Sequence, residues 1–476
     1  MKKVLLVLLA LLLLAGCSRE KTTEPTEPAQ VTFGDRQYDV DIEKLDLSGK
    51  ALEGLDQLVL LPKLKELDLR DTGLTLRQYE QLTGLMPECE ILWWPVFQGV
   101  PYPEDTEYLA ASALEEGDFE VLDFFPKLSG MDVTACRDYD MIRKLMEKYP
   151  GMQVDYLLEA GGVVLEPDAT DAVFTDLTDA ELLTALEFLP KLQTVTLKGA
   201  LPELALLARV WEENPQITFS WEVEIWGRTF ENTATEIDLC GIPMESVQEV
   251  EQKVVGLPLL QKVLMWDCGI SNEEMESLNL RNDKVLFVWK VKLGEKVTVR
   301  TDIDNFICHN YGHFLEEGEC DNFRYCTEIV ALDLGHRDIK TCDFVAYMPK
   351  LKYLILADTM VRDLTPLTGL ENLIFLEVFL MDLKSYEPLL SLKNLEDLNI
   401  GFTTGELDVI KQMTWLKRLW WSKCELTWEE QKELRAALPN TEIQLYLNYS
   451  STGAGWRKNQ NYYDMRDMLG MGYLIG

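Results

Sequence analysis

Three copies of one phrase set the plan of this chain: Leu61-Pro62-Lys63-Leu64, Phe125-Pro126-Lys127-Leu128 and Leu189-Pro190-Lys191-Leu192, evenly spaced along it. Each copy runs on into an aliphatic strand pattern that ends at Leu69, Val133 and Leu197. Looser copies begin at Leu257-Pro258, Met348-Pro349, Leu370, Leu392 and Met413, each in the frame L-x-x-L-x-L or a hydrophobic equivalent. Such a repeat constrains architecture before any single residue does, because each unit buries its apolar face only against its neighbours. The 476 residues then need no single large core, and an elongated array takes precedence over two or three separate domains. Arrays of this sort present extended surfaces, so binding is expected ahead of catalysis.

A second landmark runs in step with the first. Phe33-Gly34, Gln98-Gly99, Gly161-Gly162, Trp226-Gly227 and Leu293-Gly294 recur at nearly the same interval, most with β-branched and aromatic residues on both sides. The pattern predicts a hairpin turning at each glycine. The unit of about 65 residues is therefore expected to hold a hairpin, a strand, a helix, the P-K-L strand, a second helix and a closing strand. Helices are predicted over 76–85, 179–188, 244–255 and 428–438, where apolar residues recur at close to helical spacing.

Met1-Lys2-Lys3 followed by the apolar run Val4 to Leu14 has the form of a secretion signal and is too short to span a bilayer. Leu14-Ala15-Gly16-Cys17 resembles the lipobox of bacterial lipoproteins, and by that resemblance residues 1–16 are a signal peptide and Cys17 is the lipid-modified mature N-terminus. The alternative is an ordinary secretion signal with a chance cysteine. Residues 17–30 contain Glu, Thr and Pro and almost nothing apolar, so they are expected to form a lipidated flexible tether. The 45 basic and 81 acidic residues give a net charge of −36, a field that repels nucleic acid and anionic headgroups. No nucleic-acid partner is expected, and membrane contact is assigned to the lipid on Cys17 only.

From Ile329 the period tightens: Leu332, Leu354, Leu376, Leu398 and Leu419 recur about 22 residues apart, within the leucine-rich-repeat range. The run Asp363-Leu364-Thr365-Pro366-Leu367-Thr368-Gly369-Leu370-Glu371-Asn372-Leu373 resembles the repeats of internalin-type bacterial leucine-rich-repeat proteins. With Cys17, the chain resembles leucine-rich-repeat lipoproteins of bacterial surfaces. The resemblance implies an α/β leucine-rich-repeat solenoid, a curved parallel strand ladder with helices on its convex side, here with β-hairpins inserted in the amino-terminal units. It covers the regular array of residues 329–447, whereas residues 31–300 depart from it in their long, irregular units. Residues 301–328 are expected to be a Cys/His-containing insert or cap, and 448–476 a C-terminal cap or tail. Members of such families mostly bind proteins or peptides on the concave face, without cofactor.

Nine cysteines remain beyond Cys17. Thr72, Cys136, Cys268, Thr359, Thr403 and Cys424 follow shortly after the last strand leucine, where a small side chain holds the turn backbone, so these cysteines are expected to be structural. Cys308, Cys320, Cys326 and Cys342 lie in a segment that also holds all three histidines. Zinc is the chemical alternative there, with Cys308, His309, His313, Cys320 and Cys326 as candidate ligands. The spacing argues against it: there is no C-x-x-C pair and no H-E-x-x-H. Disulfides stapling the insert, or thiols in a reducing habitat, are the other readings. No G-x-S-x-G or P-loop occurs, and no catalytic residue is assigned.

Side chains alternate along a strand, so residues flanking the inward leucines face the concave side. In the regular array Tyr353, Ile355, Phe375, Glu377, Phe379, Asp397 and Trp420 take those positions, and they are the expected partner-binding residues. The matching amino-terminal positions, such as Glu66, Asp68, Arg70 and Asp132, read as merely solvated. An alternative is that the aromatic tail from Trp456 to Gly476 folds back over these rings, with a short helix over 462–469. The expectation is a monomeric, lipid-anchored, non-enzymatic binding or adhesion module facing the extracytoplasmic side. Its ligand is expected to be a protein or peptide, with a basic surface favoured, and no cofactor or metal is expected. The alternatives are a metal- or thiol-dependent envelope enzyme centred on 308–342 and a purely structural envelope component.

Overall fold

The computed structural model describes residues 30–33, 36–52, 54–308, 315–446 and 455–471. The signal peptide, Cys17, the tether up to residue 29, His309 and His313 lie outside the described residues. The chain divides into two compact units, Met1–Ala200 and Leu201–Gly476.

In the first unit, antiparallel hairpins alternate with short parallel ladders. Val96–Phe97 pairs with Val100–Pro101 and Leu158–Ala160 with Val163–Leu165, and the turns carry positive φ at both central residues, Gln98 and Gly99 in one and Gly161 and Gly162 in the other. That left-handed pair matches the twist of the flanking strands, which is why glycine marks each hairpin. Between hairpins lie the ladders Lys44–Asp46, Glu66–Asp68, Glu90–Leu92 and Tyr108–Ala110, Gly130–Asp132, Gln153–Asp155. Leu45, Leu67 and Leu69 point into a core with Leu58, Leu61 and Leu82, all 5 % exposed or less.

The second unit continues with hairpins at Trp226-Gly227 and Gly294, a ladder of Glu236–Asp238, Lys262–Leu264 and Leu286–Val288, and then one seven-stranded parallel sheet. Its strands are Asn305–Ile307, Ala331–Asp333, Tyr353–Ile355, Phe375–Glu377, Asp397–Asn399, Arg418–Trp420 and Glu442–Gln444, paired without a slip. This is a leucine-rich-repeat solenoid, with the leucines of successive coils forming one spine. One expectation needs correcting. Residues 301–328 are not an insert set apart from the array, because Asn305, Phe306 and Ile307 pair with Ala331, Leu332 and Asp333 and supply its first strand.

Coil length bears on what closes each turn of the solenoid. Short coils, about 22 residues from strand start to strand start, enclose the 3-10 turns Leu55–Leu60, Asp343–Tyr347, Thr365–Leu367 and Glu387–Ser391 or the brief α-helix Asp118–Leu122. Slightly longer coils enclose ten-residue α-helices: Leu76–Leu85, Tyr139–Lys148, Asp179–Phe188, Leu204–Glu213, Asn272–Arg281 and Trp428–Ala437. A 3-10 turn rises about 2.0 Å per residue against about 1.5 Å for an α-helix, so it covers more of the coil's back per residue. Four of these α-helices begin with a capping box, at Thr75, Thr178, Ser271 and Thr427. The helix expected over 244–255 is shorter, Gln248–Val254, because the Met244 N–H donates to the Cys268 carbonyl at 2.9 Å and stays with the ladder.

Candidate functional site: the covered face of the seven-stranded ladder

Each strand of the ladder sends its central residue, Phe306, Ile443 or one of five leucines, into the spine and its first and third residues to the opposite face. The in-register pairing lines the first residues up as Ala331, Tyr353, Phe375, Asp397 and Arg418, and the third as Asp333, Ile355, Glu377, Asn399 and Trp420. The expected site residues are therefore brought together on one face. Their expected exposure is corrected: Phe375 and Asp397 are 0 % and 1 % exposed, Trp420 2 %, and Tyr353, Glu377 and Ile355 are also buried, while Phe379 is half-buried. The physical reason is that the carboxyl-terminal segment lies on this face. Its helix Gln460–Met468 and the preceding Trp456 place Trp456, Tyr462, Met465 and Leu469 in one apolar cluster with Tyr353, Phe375 and Trp420.

Trp456 is the centre of the contact and is fully buried. Its ring centroid stands 5.3 Å from that of Phe375 and 5.4 Å from that of Trp420, both tilted, an arrangement that adds to area burial. Its indole N–H donates to Glu377 Oε1. Arg418 lies with its guanidinium carbon 4.4 Å from the Trp456 ring centroid and donates from Nη1 to the Trp456 carbonyl at 2.9 Å. The same arginine donates from Nε to Asp397 Oδ1 at 2.8 Å, and Asn461 Nδ2 donates to Asp397 Oδ2 at 2.9 Å. The two charges of that pair are 5 % and 1 % exposed, so each depends on the other for its solvation.

Burial pushes the Glu377 carboxyl up to about 7, with Asp333 adding to the rise and the Trp456 indole, Arg457 and Arg418 opposing it. A cavity of about 250 Å³ adjoins this carboxylate, lined among others by Asp333, His336, Arg337, Phe379 and Arg457. Two buried donors on the ladder, Arg418 Nη2 and Trp420 Nε1, have no acceptor among the described residues. The face can thus hold a polypeptide by ring stacking, by a carboxylate that accepts an indole N–H and by an arginine that reads a backbone carbonyl.

Asn461 is the member of the site that sequence reasoning did not single out; Arg418 stands at an outward strand position beside Trp420, and Trp456 opens the tail that the alternative reading folds back over the rings. A signal for part of it was present. In six strands the third residue is Asp or Asn, whose side chain accepts the N–H two residues on: Asp46 from Ser48, Asp68 from Arg70, Asp132 from Thr134, Asp238 from Cys240, Asp333 from Gly335 and Asn399 from Gly401. Ile355, Glu377 and Trp420 depart from this pattern under the tail, but so do Leu92, Ala110, Leu264 and Val288 in other ladders, which makes the signal a weak one. Asp68, read as merely solvated, is 9 % exposed and is held below the usual carboxylate range chiefly by the Arg70 side chain.

Of the cysteine segment, Cys308, Cys320, Cys326 and Cys342 are described and all are buried, whereas His309 and His313 lie outside the described residues. None of the described cysteines forms a disulfide. Desolvation pushes the thiols of Cys320, Cys326 and Cys342 up to about 12, the state least suited to metal ligation or nucleophilic attack. Among the described residues no group of three or more His, Cys, Asp and Glu side chains is placed to hold a metal ion. The turn positions behave as expected where a bond is formed: Thr72, Thr359 and Thr403 donate to the carbonyls of Leu69, Leu356 and Ile400, and Cys268 Sγ to that of Leu239.

Residues 1–18 match the prokaryotic membrane lipoprotein lipid attachment site, and no described helix is long and apolar enough to cross a membrane. No curated protein matches the chain. Among solved structures, internalin C2 of Listeria monocytogenes is 22 % identical over 29 % of this chain and 72 % of its own, with a TM-score of 0.23. A second Listeria internalin is 12 % identical over 87 % of this chain and 91 % of its own, with a TM-score of 0.25. A leucine-rich-repeat protein of Leptospira interrogans is 17 % identical over 85 % of this chain and 96 % of its own, with a TM-score of 0.27. The chain's own strand ladder is a leucine-rich-repeat solenoid, and the same chain carries a prokaryotic lipid attachment site.

Proposed function

We propose that this lipoprotein is an extracytoplasmic binding or adhesion module, non-enzymatic and monomeric, whose ligand is a protein or peptide held on the face of the seven-stranded ladder opposite its apolar spine. One observation carries the reading: that face already holds a polypeptide, the chain's own residues 455–471, through the Trp456 indole, the Trp456 carbonyl and Asn461. These are the contacts by which a protein reads a peptide, with an aromatic anchor in a desolvated pocket and few directional bonds around it. The net charge of −36 favours a basic partner surface in the encounter, and the bound segment itself begins Trp456-Arg457-Lys458. Cys17 supplies the anchor, so that the lipid, rather than the acidic body, makes the membrane contact.

A purely structural role is the second reading, and the near-complete burial of Phe375 and Trp420 favours it. A photo-crosslinking amino acid at Phe379, the half-buried edge of the face, separates the two on intact cells. The binding reading expects a cross-link to a second polypeptide. Cross-links confined to the protein's own residues 455–471 leave the structural role instead.

A further inference from the structure

We propose that the pocket around Trp456 is a tryptophan socket for a peptide segment of a partner protein, and that the chain's own residues 455–471 occupy it in cis as a competitor. This rests on the polypeptide-binding reading and adds the chemistry of the ligand. The socket has two ring walls, Phe375 and Trp420, a cation over the ring from Arg418, and a carboxylate, Glu377, that takes the indole N–H. No other side chain offers both a wide ring for those walls and an N–H at its edge for that carboxylate, so the socket selects tryptophan over phenylalanine and tyrosine. Arg418 reads the carbonyl of the same residue, which requires the main chain that carries the ring and excludes free indole as the intended occupant.

The cis occupant fits incompletely. Arg418 Nη2 and Trp420 Nε1 remain buried without an acceptor among the described residues, and each such donor has given up its water for nothing in return. A ligand that places carbonyls opposite these two donors makes bonds that the described tail does not make. A self-segment that satisfies the anchor but not its surroundings holds the face closed until such a ligand arrives. Its association with the ladder is intramolecular, so a competitor must exceed its local concentration as well as its contacts.

The test uses the full-length protein in detergent and a fluorescein-labelled synthetic peptide spanning residues 455–471. Anisotropy is read with the wild-type chain and with Trp456→Ala, which empties the socket. Thermal unfolding of the variant confirms that the ladder is retained. The variant is expected to bind the peptide at least tenfold more tightly than the wild type. The same peptide carrying Trp456→Ala is expected to bind at least tenfold more weakly than the native peptide, a comparison that leaves the protein unchanged. Equal affinity of the variant and the wild-type chain, or equal affinity of the two peptides, overturns the proposal. So does a concentration-dependent dimer of the wild-type chain that dissociates on Trp456→Ala, since a second copy is then the occupant. If the peptide fails while the Phe379 cross-link to a foreign polypeptide persists, the socket is wrong and the binding reading stands. Loss of both removes the reading itself.

Discussion

At the scale of single residues, the covered face depends on groups that solvent cannot replace. Replacing Asp397 by Ala leaves Arg418 buried beside Trp456 without its carboxylate, and a loss of about 3–5 kcal/mol in the unfolding free energy of this region is expected in denaturant titration. Glu377 gives the docking a sign with pH. Its carboxyl sits at about 7 when covered against an ordinary 4.5, so below 4.5 it is protonated whether or not the tail is docked. Between 4.5 and 7 the uncovered carboxyl ionises while the covered one resists, so docking weakens as pH rises, on the order of 3 kcal/mol across the window. Protection of the helix Gln460–Met468 from hydrogen exchange, corrected for the intrinsic rate, is expected to fall from pH 5 to pH 8, and Glu377→Gln to flatten the trend. Asp333, Arg418, Arg457 and the Trp456 indole face this carboxylate, and His336, paired with Asp358 Oδ2 at 2.8 Å, lines the adjoining cavity. Sequence alone identified Phe375, Glu377 and Trp420 as facing away from the leucines, because alternation along a strand is local. The aromatic composition of residues 456–476 offered the tail as one of two readings of what stands opposite them, without saying which of its residues meets which ring. Trp456 is 79 residues from Glu377, and no local periodicity encodes that contact.

At the scale of elements, the chain's punctuation was written plainly. The capping boxes at Thr75, Thr178 and Thr427 start helices where the sequence predicts them, and Thr427→Ala is expected to destabilise the last coil by about 1 kcal/mol, measured by thermal unfolding. The hairpin glycines are equally explicit. A side chain at Gly162 meets open space but a φ of +76°, so Gly162→Val is expected to cost more than about 1 kcal/mol through backbone strain alone. Gly151 is also open and has no positive φ, and Gly151→Val serves as the near-neutral control in the same melt. What the sequence hid was the first strand of the regular array. Asn305-Phe306-Ile307 is short, lies between hairpin and cysteine segment, and is recognisable only once Ala331–Asp333 is seen beside it. The 3-10 turns of the short coils were hidden for a related reason, since the leucine spacing fixes a coil's length without fixing the helix type that spans it.

For the whole molecule, the lipid attachment site and the covered seven-stranded ladder lie at opposite ends of the sequence. Cys17→Ser is expected to move the protein from the membrane fraction to the soluble fraction on cell fractionation without shifting its melting temperature, because the lipid site at residues 1–18 precedes the described fold. The ladder itself has a further consequence. Because its strands pair without a slip, residues one coil apart in the chain become next neighbours about 4.8 Å apart across the sheet. Duplicating a coil would therefore extend the groove by a single rung and leave every existing contact where it was. Exchanging the outward pair on one rung would rewrite a single step of the surface without disturbing the leucines beneath. A scaffold of this construction can change what it recognises by small, separable edits, in length or in lettering, while its interior stays the same.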